Sequence, residues 1–171
     1  MNLKCTKKLL DKLKIKNPNI LEETTDKDIE NWHCNIFKYG RIYAVLLTND
    51  KTLFSFYLFG YRANDFKHFT ETIREDIFKL MVGSGFEQKQ FEVILESMEN
   101  INFFKSDNRG VLASMNQMLP YIHNRLEREM DLLDINIGLN DMINSKLNWK
   151  KPREEFESLL SIYTNKYGVK K

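Results

Sequence analysis

The stretch that decides the fold is residues 32–61, which read WHCNIFKYGRIYAVLLTNDKTLFSFYLFGY. Two apolar runs, residues 42–47 and 53–59, flank the polar residues 48–51. Aromatic and β-branched runs around an Asn-Asp turn are typical of a β-hairpin. The second run is apolar on both of its faces: Leu53, Tyr57 and Phe59 alternate with Phe54, Phe56 and Leu58. A strand that is apolar on both faces is covered on both, so this hairpin is expected at the centre of the molecule.

The segments around the hairpin predict the fold class. Residues 32–39 form a first long strand that turns tightly at Gly40, and three strands so connected favour an antiparallel meander. Residues 1–5 and 102–105 are expected to be short strands. The prediction is therefore an α+β fold: a small antiparallel β-sheet with a meander or hairpin core, covered by amphipathic helices and followed by a helical C-terminal part.

Apolar residues at three- and four-residue spacing predict the helices. The predicted helical segments are residues 6–13, 64–81, 87–98, 109–133 and 152–168. Pro120 is expected to kink or restart the fourth of them, because proline removes a backbone donor. Residues 21–31 are expected to be a loop or short helix, and residues 134–150 a weak segment broken by Gly138. Gly168 is expected to end the last helix.

The length of 171 residues suits one domain, or a core with an extension. The predicted division is an α+β core domain over residues 1–119 and a helical C-terminal extension over residues 120–171, packed on the same domain. The two cysteines, Cys5 and Cys34, match no metal spacing, and no metal or cofactor is predicted. No signal peptide or membrane span is recognised, so a cytoplasmic protein with reduced thiols is expected.

Charge distribution marks one candidate binding element. The net charge is only +2, but the first predicted helix carries Lys7, Lys8 and Lys12 on the side opposite its leucines. Several ammonium groups on one side bind phosphates by releasing counterions, or dock on an acidic protein surface. The alternative is an ordinary solvated helix face. No Tyr or Phe interleaves these lysines in the sequence, as stacking of single-stranded nucleic acid would favour.

Two further places carry candidate site residues. His33 and Cys34 are neighbours in a strand, so their side chains point to opposite faces and do not form a catalytic pair. Asn108 is expected to cap a helix whose free N–H groups accept anions, and Arg109 adds a fork of donors. The alternatives are a buried structural thiol beside a half-buried imidazole, and a helix cap with a surface ion pair.

Four stretches together resemble a known family. They are residues 3–10 (LKCTKKLL), 32–35 (WHCN), 41–53 and 108–116 (NRGVLASMN). In this order the chain resembles the DUF6933 family of bacterial proteins, over roughly its first two-thirds. The helical part after Pro120 lies outside the resemblance. The resemblance implies a bacterial or phage-like cytoplasmic setting and makes a mobile-element or defence-linked role an expectation by analogy. It supplies no catalytic residues.

Three hypotheses of function follow. The first is a binding or regulatory module that recognises a protein or nucleic-acid partner through the basic N-terminal helix and the helical tail. The second is a small enzyme acting on a phosphodiester or nucleotide substrate, which needs His33, Arg109 and the lysines to converge in one pocket. The third is a structural subunit that forms a homo-oligomer through the Met-rich helical C-terminal part.

Overall fold

The five strands form one mixed sheet. The computed structural model describes residues 1–20 and 27–166. The strands are β1 (Asn2–Cys5), β2 (Asn31–Tyr39), β3 (Ile42–Asn49), β4 (Ser55–Tyr61) and β5 (Asn102–Lys105), and their order in the sheet is β4-β3-β2-β1-β5. The meander of β2, β3 and β4 is antiparallel, as predicted. The prediction of an antiparallel sheet is wrong for β1, which pairs in parallel with both β2 and β5. The connection from β1 to β2 includes the helix Lys7–Leu13, and the meander and further helices lie between β1 and β5, so neither parallel pair is joined by a tight turn.

Six α-helices are present in the described part of the chain. They are α1 (Lys7–Leu13), α2 (Phe69–Gly83), α3 (Gln88–Ser97), α4 (Arg109–Glu127), α5 (Leu132–Asp141) and α6 (Pro152–Lys166). Helix α4 passes through Pro120 without a break, so the predicted boundary between residues 119 and 120 falls inside one helix. Residues 21–26 of the expected loop, and Gly168 at the expected end of the last helix, lie outside the described residues.

Helices cover both faces of the sheet. Helices α1, α2, α3 and α6 pack on one face and α4 and α5 on the other, giving two separate apolar clusters. The alternation predicted for the hairpin is confirmed. Phe54, Phe56 and Leu58 belong to the first cluster; Leu53, Tyr57 and Phe59 belong to the second. The α+β class is thereby confirmed, with burial of both sheet faces as its physical basis.

The outer edge of the hairpin is protected by α5. Strand β4 lies at the edge of the sheet rather than at its centre. The Asn136 side-chain amide accepts from the Tyr57 N–H and donates to the Tyr57 carbonyl, both at 2.8 Å. Asn140 makes the same pair of bonds to the Ser55 backbone, at 2.7 and 2.8 Å. Two asparagines four residues apart thus satisfy alternate backbone groups of the strand, which would otherwise be open to pairing with another chain.

Candidate functional site

The basic N-terminal helix lies beside aromatic rings from other elements. Leu9 and Leu10 bury α1 against the sheet, and this fixes the direction of its lysines. The Lys12 Nζ atom donates to the Tyr43 hydroxyl at 3.2 Å and lies 4.3 Å from the centroid of that ring. It also lies 5.2 Å from the centroid of the Phe66 ring. The cation is therefore held at an aromatic surface by a hydrogen bond and by cation–π attraction.

Two more lysines surround the same tyrosine. Lys38 is the register partner of Tyr43 across β2 and β3, so both side chains lie on one face of the sheet. The hydrogen bond from Lys12, followed by the charges of Lys12, Lys38 and Lys8, holds the pKa of Tyr43 below its ordinary value, although slight burial opposes the shift. Positive charges favour the tyrosinate form, so this pKa reports a local positive potential. We call Lys7, Lys8, Lys12, Lys38 and Tyr43 the basic surface.

Lys7 and Lys8 remain fully available on this surface. Both side chains are exposed, and within residues 1–20 and 27–166 neither makes an ion pair. Some other exposed lysines differ: Lys51, Lys79 and Lys89 each lie within 3.9 Å of a carboxylate oxygen. Lys67 and Lys105 are also exposed without an ion pair in the described segments, so what distinguishes the basic surface is the grouping of its lysines around Tyr43.

The aromatic partner of the lysines was not foreseen, because no Tyr or Phe interleaves them in the sequence. Tyr43 comes from β3 and reaches the lysines only through the fold. The alternation of β2 and β3 contains a signal for part of this arrangement. Lys38 follows Cys34 and Ile36 on one face, and Tyr43 precedes Val45 on the same face. The alternation of β2 and β3 does not predict where α1 packs against the sheet.

His33 is the centre of a second, closed polar network. Its side chain is 0% exposed, rather than half-buried as expected. The His33 Nδ1 atom lies 2.6 Å from Asp50 Oδ1, and Lys4 Nζ lies 2.8 Å from Asp50 Oδ2. Burial on its own raises the pKa of Asp50, but the hydrogen bonds from His33 and Lys4 and the charge of Lys4 outweigh it and lower that pKa. The network ties β1 and β2 to the turn that follows β3.

The other nitrogen of His33 is also occupied. An ionised Asp50 favours the tautomer with the proton on Nδ1, which leaves Nε2 as an acceptor. Nε2 accepts from the Asn108 backbone N–H at 3.4 Å, and Asp107 Oδ1 lies 3.5 Å away. A His–Asp pair is typical of general bases, yet here the imidazole has no free nitrogen and no access to solvent. In this arrangement the ring joins β2 to the start of α4.

Asn108 and Arg109 begin α4 near this network. The Asn108 side chain accepts from the backbone N–H groups of Gly110 and Val111 at 2.9 and 3.2 Å, so the predicted cap is present. The Arg109 side chain is exposed. Helix α4 lies on the face of the sheet opposite α1. The structure therefore gathers His33 and Asn108 in one place, and Lys7, Lys8 and Lys12 in another.

The two cysteines lie side by side. Cys5 and Cys34 are register partners on β1 and β2, and both are free and buried. Burial, followed by the neighbouring Cys5, raises the pKa of the Cys34 thiol. A thiol that resists deprotonation is a poor nucleophile and a poor metal ligand. In the described part of the chain no group of three His, Cys, Asp or Glu residues could hold a metal ion.

The family profile for a domain of unknown function, DUF6933, matches residues 2–155. The chain belongs to the DUF6933 family. The match covers most of the chain, so the resemblance expected over the first two-thirds extends well past Pro120, through α5 and into α6. All residues of the basic surface and of the His33 network lie inside the DUF6933 region. No curated protein and no solved structure is significantly similar to the chain. Among the described residues, no helix is long and apolar enough to cross a membrane.

Proposed function

We propose that this DUF6933 protein is a binding module that recognises nucleic acid through its basic surface. The observation that carries the proposal is the convergence of lysines from α1 and β2 on the Tyr43 hydroxyl. Ammonium groups held together in this way neutralise neighbouring phosphates and release their counterions. Lys7 and Lys8, which have no ion-pair partner in the described segments, contribute without first breaking an internal contact.

The geometry favours binding over catalysis. The enzyme hypothesis requires His33 to reach a substrate beside Arg109 and the lysines. His33 is fully buried and bonded at both nitrogens, and α1 and α4 lie on opposite faces of the sheet. No observation on the described residues favours the second hypothesis. The same positive charges also suit an acidic protein surface, which is the partner to consider if nucleic acid does not bind.

The test compares two triple variants with the same change in net charge. Labelled single-stranded and double-stranded DNA and RNA are titrated with nuclease-treated protein at low salt, and binding is followed by fluorescence anisotropy. The test variant changes Lys7, Lys8 and Lys12 to Ala. The control variant changes Lys51, Lys79 and Lys89 to Ala, because these lysines are already paired with carboxylates. Circular dichroism and thermal unfolding check that both variants fold.

The expected result is binding by the wild type and by the control, with affinity lower by tenfold or more in the test variant. If net charge alone determined affinity, both triple variants would bind equally weakly. That result would contradict binding at the basic surface. Absence of binding at low salt would remove nucleic acid as the partner.

A further inference from the structure

The Trp149 side chain is unusually exposed for a tryptophan. Of the two tryptophans, Trp32 is 0% exposed in the core, whereas Trp149 is 70% exposed. Trp149 belongs to the segment of residues 144–150 between α5 and α6, which we call the Trp149 loop. Large aromatic side chains on the surface are enriched where a protein binds its partners, because they offer wide contact area with few rotatable bonds.

Hydrogen bonds hold the Trp149 loop in one conformation. The Asn144 N–H donates to the Lys150 carbonyl, and the Trp149 N–H donates to the Asn144 carbonyl, both at 3.0 Å. The Asn144 side chain accepts from the Lys146 N–H at 2.9 Å. A closed loop of this kind presents its side chains with little entropy left to lose on binding.

A lysine fixes the Trp149 loop to the first turns of α4. The Lys146 Nζ atom donates to the Gly110 carbonyl at 2.6 Å and to the Ser114 hydroxyl at 2.8 Å. An ammonium group has three donors, so one remains for a ligand. Arg109 is exposed next to Gly110 in the same turn. Trp149, Lys146 and Arg109 therefore belong to one region, in which the loop is hydrogen-bonded to the first turns of α4.

The backbone of the loop is strained at the tryptophan. Asn148 and Trp149 both adopt left-handed conformations, with φ of 54° and 65°. Asn tolerates this region, but for a bulky residue it is an outlier that costs free energy. The exposed indole lies outside both apolar clusters and so gains no core burial to offset that cost. This left-handed conformation holds the indole on the surface rather than in either apolar cluster.

The charge of the loop indicates which partner fits. Residues 142–151 contain Lys146, Lys150 and Lys151 and no acidic residue. Lys150 pairs with Glu155 at 2.7 Å and Lys151 with Asp141 at 3.7 Å. Lys150 and Lys151 are therefore already paired with carboxylates, and Lys146 and Arg109 are the cations of this region that make no ion pair among the described residues. An exposed indole on the same anchored loop as Lys146 matches the aromatic element of proteins that bind single strands.

We propose that Trp149 stacks on an unpaired base of single-stranded nucleic acid whose phosphates contact Arg109 and Lys146. This proposal rests on the proposed function and adds to it a preference for single strands. A double helix keeps its bases stacked inside, so it offers Trp149 only a backbone. The Trp149 loop is fixed to α4, and α1 lies on the opposite face of the sheet, so a flexible single strand that bends around the molecule can contact both, whereas a straight duplex contacts the basic surface alone.

In the wild type and in Ile143→Ala the test follows the emission of Trp149, since the buried Trp32 is shielded from ligand. The affinities of the wild type and of the variants Trp149→Phe, Trp149→Ala and Ile143→Ala are measured by fluorescence anisotropy of a labelled oligothymidylate and of a labelled duplex of equal length. Ile143 is 62% exposed near the loop, so its variant removes apolar surface without removing a stacking face. Thermal unfolding confirms that each variant is folded.

We expect the oligothymidylate, and not the duplex, to quench the emission of the wild type. Trp149→Ala should lose about tenfold or more in affinity for the single strand, Trp149→Phe should lose less, and Ile143→Ala should match the wild type. Single-strand binding that leaves the emission and the Trp149→Ala affinity unchanged would overturn this proposal while the proposed function stands. No binding of either nucleic acid at low salt would overturn both.

Discussion

The Lys12 ammonium nitrogen lies 3.2 Å from the Tyr43 hydroxyl oxygen, and so a lysine from α1 and a tyrosine from β3 form one electrostatic unit. The lysine hydrogen bond is the largest cause of the lowered pKa of Tyr43. We expect Lys12→Ala to raise this pKa toward the ordinary value of 10.0. NMR titration of ring-labelled tyrosine, assigned with Tyr43→Phe, measures it. Lys89→Ala is the control that should leave it unchanged. An equal pKa in wild type and Lys12→Ala would contradict the contact.

Asp50 should make the folded state sensitive to acid. Its folded pKa is lowered below 3.8, so the unfolded chain binds this proton more readily. The stabilisation is complete above pH 3.8 and is lost as the pH falls from there through the folded pKa. We expect Asp50→Asn to be less stable at neutral pH and to lose less stability across that acid range. Urea unfolding at a series of pH values measures this. Parallel stability curves for the two proteins would show that Asp50 does not contribute.

The asparagines of α5 should be required for the β4 edge. Asn140→Ala leaves the buried N–H and carbonyl of Ser55 without these partners, which should cost about 2 kcal/mol of unfolding free energy. The exposed edge should also raise the tendency to aggregate. Asn124→Ala, at an exposed site on α4, is the matched control and should be neutral. A neutral Asn140→Ala would refute the role of these bonds.

Gly138 should be coupled to Tyr121. A Cβ atom at Gly138 would clash with the Tyr121 hydroxyl oxygen and lie 3.2 Å from the ring carbon that carries it. Alanine is the better helix former, but the clash should make Gly138→Ala destabilising in the wild type. In Tyr121→Phe the same change should cost about 1 kcal/mol less, as measured by a double-mutant cycle. Strictly additive effects would show that the hydroxyl does not restrict this site.

These examples show what local sequence pattern predicts and what it misses. Alternation assigned Phe56 and Tyr57 to opposite faces correctly, because side-chain direction in a strand is a local property. Gly138 was expected to break a weak segment, yet it lies inside α5. Its lack of a side chain leaves room for the close approach of Tyr121. The parallel pairing of β1 also escaped prediction, since its partners Trp32 and Phe103 are distant in sequence.

The candidate site likewise contains some residues that local sequence pattern predicted and others that it did not. The lysine side of α1 was predicted from helical spacing, whereas Tyr43 joined it only through tertiary packing. The burial of His33 depends on Asp50 and Asn108, which approach it from a turn and from the start of α4. No local pattern distinguishes that closed arrangement from an open catalytic one.

The most direct measurement is the salt dependence of nucleic-acid binding. For duplex DNA each phosphate contact contributes about 0.9 to the slope of log affinity against log salt. We expect the variant with Ala at positions 7, 8 and 12 to have a slope shallower than the wild type by about 2 to 3. The variant with Ala at positions 51, 79 and 89 should keep the wild-type slope. Equal slopes for all three proteins would contradict recognition through the basic surface.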